Sequence, residues 1–192
     1  LQPVTEDIMD ILNCIKKTTL QSGYSQEVAD CLAGMMKYMI DKQLIGACHA
    51  TASALYVALS ELDLQPQLCI GEVLTGQMAF DHSWLLVDGK IVDLACYMTL
   101  VGMGLPVSSP ILFGKNAVTG QPPELNYGAK SGQGLDETTE RILRMPFQLY
   151  MNCFPYEENG LWDVVARILP NDIKVGELRS KYKDVKRHYS VY

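Results

Sequence analysis

Cysteine, histidine and aspartate together can supply a thiol nucleophile, its base and the group that orients the base. They occur in that order in this chain as Cys48, His82 and Asp93. Cys48 lies in 45-IGACHATASALYVALSEL-62, just after a glycine, where the pattern places the first turn of a small-residue helix. Unpaired backbone N–H groups and the positive dipole end at that point favour thiolate over thiol. The same groups stabilise an oxyanion on a carbonyl under attack, so the Cys48 backbone N–H is the first oxyanion donor to consider. Cys14 and Cys31 lie inside helical patterns, Cys69 inside a strand, and Cys153 in a loop without a nearby histidine. Taken alone, Cys48 has a plainer reading as a small residue filling a tight helix start. His49 is a decoy on this reading, since adjacent helical residues point about 100° apart.

The candidate base lies in 79-AFDHSWLLVDGKIVDLAC-96, two β-rich runs joined at Asp88-Gly89. That dipeptide favours a two-residue hairpin turn, because both central residues must tolerate positive φ. The resulting register sets Val87 opposite Lys90, Leu85 opposite Val92, Trp84 opposite Asp93 and His82 opposite Ala95. His82, Trp84 and Asp93 then share a face, with His82 and Asp93 as diagonal neighbours. Asp81 points to the other face and is the poorer partner. An imidazole facing a carboxylate is held in one tautomer with its charged form stabilised. The alternative is a core histidine satisfied by a backbone carbonyl or water.

The elements that must position these residues follow from periodicity. Helical patterns cover residues 5–20 behind Thr5, with Ile8, Ile11, Leu12 and Ile15 inside, and Ser25 to about Lys42. A third helix runs from near Ala47 to Leu62. Gln67–Leu74, Phe80–Val87 and Lys90–Leu94 read as successive strands. Residues 101–134 read as a long irregular loop with one short strand at Ile111–Phe113, the kind of excursion that is usually functional or mobile. Helices return at Asp136–Arg144, Glu157–Ile168 and Ile173–Tyr189. The expected architecture is one α+β domain over 1–192: N-terminal helices at 1–44, a catalytic core at 45–95, the 101–134 loop, and C-terminal helices at 135–192.

A formal net charge of -6 leaves no basic field for nucleic acid or an anionic membrane. No apolar run is long enough for a membrane span, and LQPVTEDIMD lacks a signal-peptide pattern. Six scattered cysteines without a C-x-x-C pair read as reduced thiols of a cytoplasmic protein. Cys48, His49, His82 and Cys96 lack the paired short spacing of a structural zinc site, so neither metal nor cofactor is expected.

The order of nucleophile helix, strand, and histidine–aspartate hairpin resembles the transglutaminase-like cysteine peptidase superfamily over about Gly46 to Leu94. The matching stretches are GACHATASALYVALSELDLQPQLCIGEV and DHSWLLVDGKIVD, the latter with a His-x-Trp pattern at His82 and Trp84. Within that superfamily the span is similar to the peptidases that remove leader peptides in lasso-peptide biosynthesis. Arylamine N-acetyltransferases use the same residue order, but DKQLIGAC lacks the arginine and glycines that normally precede their cysteine. The resemblance implies a papain-like fold, with a central nucleophile helix packed on a small antiparallel sheet and flanking helices. It makes Cys48 the nucleophile, His82 the base and later the acid, and Asp93 the orienting group, with Trp84 as a substrate contact. Gln43, five residues upstream of the cysteine, is the side-chain oxyanion candidate of a papain-type site. The implied activity is cleavage of a peptide or protein amide, or acyl transfer from it, through a thioester. The alternative is an inactive relative serving as a binding or assembly module.

Overall fold

The structure, a computed structural model, describes residues 5–76, 78–102 and 106–191. It is α+β: three helices, an antiparallel core of strands, then four shorter helices. Helix α1 spans Thr5–Gln21 and α2 spans Gln26–Asp41, the latter capped by Ser25, whose Oγ accepts from the Val28 N–H. Helix α3, Cys48–Glu61, buries ten of its fourteen residues, with alanines and serine on the sides. A helix buried nearly all round belongs at the centre of a fold. Accordingly α3 packs on strands β1 (Gln67–Thr75) and β2 (Met78–Val87) and on α2 and three of the later helices or turns.

The β2–β3 hairpin forms as its turn chemistry dictates. Asp88 and Gly89 both take positive φ, 51° and 71°, and Val87 pairs with Lys90, Leu86 with Ile91 and Leu85 with Val92. Strand β3 (Lys90–Val92) then stops earlier than expected. Asp93 leaves the hairpin to exchange backbone hydrogen bonds with Ile111 at 2.7 and 2.8 Å, and Ala95–Tyr97 form a 3-10 turn. The Trp84–Asp93 and His82–Ala95 pairs are therefore not part of the ladder, although the faces of His82 and Asp93 still converge.

The stretch expected as an irregular loop over 101–134 contains more order than its composition suggests. Residues 103–105 of it lie outside the described residues. Ile111–Leu112 and Lys115–Asn116 form a small hairpin, β4–β5, and Asn126–Ala129 form β6, which joins the main sheet beside β1. The sheet order is β3-β2-β1-β6. Leu68, Leu85, Val87 and Val92 face the helical core, whereas Cys69, Val73, Trp84, Ile111 and Tyr127 build a second core on the opposite face.

The C-terminal part also departs from expectation. Helix α4 (Glu137–Arg144) starts after its Asp136 cap, an additional helix α5 covers Phe147–Asn152, and α6 covers only Leu161–Ile168. Helix α7 covers only Val175–Tyr182, and His188–Tyr189 form β7, parallel to β1. Gly71 of β1 admits that strand, since a Cβ there would meet the Ser190 carbonyl oxygen at 2.5 Å. Among the described residues no helix is long and apolar enough to cross a membrane.

Candidate active site

Gly46 takes a φ of +71° and its N–H donates to the Met98 carbonyl at 2.7 Å, turning the chain into α3. Ala47 at the N-cap has no side chain to cap the helix, which leaves first-turn N–H groups around Cys48 without that partner. The Cys48 side chain is 8 % exposed, on the wall of a cavity of about 650 Å³ shared with His49 and His82.

His82 Nε2 lies 2.7 Å from Asp93 Oδ2, with both side chains buried. Its remaining nitrogen, Nδ1, is not taken by Asp93, and the ring shares the cavity wall with Cys48. Asp93 is engaged on both oxygens. The Tyr127 hydroxyl donates to Oδ2 at 2.8 Å, and the Ala95 and Cys96 N–H groups donate to Oδ1 at 2.9 and 3.2 Å. The carboxylate thus caps the 3-10 turn while it orients the imidazole.

Charges within this buried group reinforce one another. Burial pushes the Cys48 thiol up, but His49 and His82 more than offset it and hold the thiol well below its usual range. Burial opposes the charge on His82, yet Asp93 and then Cys48 raise it to about 10. Burial likewise opposes the Asp93 charge, and His82 and Tyr127 hold that carboxyl below the usual range. Burial and the adjacent Asp93 push Tyr127 well above its ordinary value, keeping it a donor. Together these shifts favour a thiolate with an imidazolium over the neutral pair.

Two of the expected contacts are absent from the cavity. Gln43 is exposed in the turn that ends α2, with a φ of 52°, and does not line the cavity; the left-handed turn directs it to solvent. Trp84 is fully buried, 5.2 Å from the Tyr127 ring in the second core, and does not line the cavity. Asp81 accepts from the Asp136 N–H at 2.7 Å, tying the cavity wall to the start of α4.

Two residues enter the site that sequence reasoning passed over. His49 lines the cavity beside the thiol, its Nδ1 2.7 Å from Ser83 Oγ. The 100° step along the helix separates its ring from Cys48 without removing it from the cavity. Tyr127 was hidden in the glycine- and proline-rich segment, where the short alternation around NYGA was the available strand signal. Among the described residues, no group of three or more His, Cys, Asp or Glu is arranged to hold a metal ion. No family model, characterised protein or solved structure matches the chain.

Proposed function

We propose that the protein is a cysteine peptidase or acyltransferase of transglutaminase-like, papain-like type, acting on an amide carbonyl. The observation that carries this reading is the buried series Cys48–His82–Asp93 with its sulfur end at the cavity. Cys48 thiolate attacks the carbonyl carbon, and the oxygen takes the displaced electron pair beside the Cys48 N–H. Collapse breaks the C–N bond as His82 gives its proton to the departing amine, leaving a thioester. Water or an acceptor amine then attacks, His82 removes its proton, and the C–S bond breaks to restore the thiolate. Hydrolysis is the favoured outcome. Carboxylates of Glu72, Asp81 and Asp136 on the cavity wall favour a neutral or basic peptide segment. The free thiols suit a reducing compartment, the cytoplasm.

The test is brief treatment with iodoacetamide at pH 7 followed by peptide mapping. Cys48 is expected to react ahead of the other five cysteines, and Cys48→Ala to remove the fast-reacting site. Equal labelling of all six, or unchanged fast labelling of Cys48→Ala, counts against the proposal.

A further inference from the structure

Two imidazoles stand beside the Cys48 thiol, and the proposed reaction employs only His82. Asp93 occupies Nε2 of His82, while its Nδ1 serves the sulfur and the leaving group. The developing oxygen is left with a backbone donor, because Gln43 does not line the cavity. His49 does line it, and the contact with Ser83 determines which of its nitrogens carries the proton.

Ser83 is 2 % exposed, and among the described residues the partner of its hydroxyl is His49 Nδ1. A buried hydroxyl that donates to nothing keeps its full desolvation penalty. Ser83 therefore takes Nδ1, and the ring N–H that it leaves free is on Nε2. An N–H on a ring that lines the same cavity as the thiol is the kind of donor that stabilises charge on a carbonyl oxygen bound there.

We infer that His49 is a second catalytic imidazole, held by Ser83 so that its Nε2–H donates to the oxyanion formed when Cys48 attacks a carbonyl. The inference rests on the acyl-transfer reading above. In the addition step the S–C bond forms, the C=O π pair moves to oxygen, and that oxygen accepts from His49 Nε2–H and the Cys48 N–H. No proton leaves His49. Collapse returns the pair to C=O and expels the leaving group.

Two probes separate this role from simple activation of the thiol. p-Nitrophenyl acetate acylates a thiolate through a tetrahedral oxyanion, whereas iodoacetamide alkylates it without carbonyl addition. His49→Ala is expected to slow acylation of Cys48 by about 10²–10³-fold, and alkylation by less than about tenfold. His49→Gln, whose side-chain amide restores an N–H at similar reach, is expected to recover about tenfold of the acylation loss. Equal loss with both probes, unchanged acylation in His49→Ala, or no recovery in a folded His49→Gln overturns the inference. Wild-type protein whose Cys48 is not preferentially alkylated overturns the acyl-transfer reading itself, a result independent of the His49 comparison.

Discussion

Asp93 accepts from four donors that tie it to three parts of the molecule. His82 links it to the thiol, Tyr127 to the second core, and the two N–H groups to the 3-10 turn after β3. Tyr127→Phe removes one charge-assisted donor without removing the ring, and urea unfolding at pH 7 should show a loss of about 1.5–3 kcal/mol. The thiolate offers a second check at this scale. Wild-type Cys48 alkylation should change little between pH 7 and 9, because His49 and His82 hold the thiol well below its usual range. In His82→Ala, burial acts with less opposition, and the rate should climb through the same interval. That Cys48 starts a helix and that His82 meets Asp93 were open to sequence reasoning because turn chemistry and periodicity are local. His49 was not, since whether a neighbouring side chain reaches a cavity depends on what the helix start packs against.

At the element scale, the start of α3 and the cap of α2 make opposite predictions for reactivity. Gly46→Ala forces a Cβ onto a φ of +71° and to within 2.4 Å of Leu100 Cγ. The backbone strain alone is worth about 1 kcal/mol, and it falls two residues before Cys48. Both thermal stability and the iodoacetamide rate of Cys48 should fall. Ser25→Ala removes a cap far along the chain from that turn, costing about 1 kcal/mol, or roughly 2–4 °C in Tm at this chain length. Its Cys48 rate should match wild type. Element identity was legible where period or capping was strong, as in α2, α3 and the β2–β3 hairpin. It failed for β6 and β7, which are short and exist through backbone pairing with β1.

For the whole molecule, the buried charges make stability depend on pH in a way that involves Cys48. His82 is raised from 6.5 to about 10, so its contribution is complete below about pH 6.5 and is lost as pH rises through about 10. Asp93 is lowered from 3.8, so its contribution is present above about pH 3.8 and is lost as pH falls through its depressed value. Cys48 is lowered from 9.0, and its contribution grows as pH rises toward 9. Between pH 6.5 and 9 the trends of His82 and Cys48 therefore oppose each other. Thermal melts should show a nearly level Tm for wild type over that interval and a declining one for Cys48→Ala, where His82 keeps Asp93 but loses the opposing thiol. A decline of equal slope in both would contradict the coupling.

The sequence by itself determined the helix that Cys48 opens, the Asp88-Gly89 hairpin and the shared direction of His82 and Asp93, because these follow from repeat period and permitted φ over short spans. Tertiary structure alone decided that Gln43 turns to solvent, that Trp84 is sealed in the second core, and that Tyr127 and His49 enter the site. Each of those outcomes depends on contacts between segments distant along the chain, and no local propensity encodes which distant surface a side chain will meet.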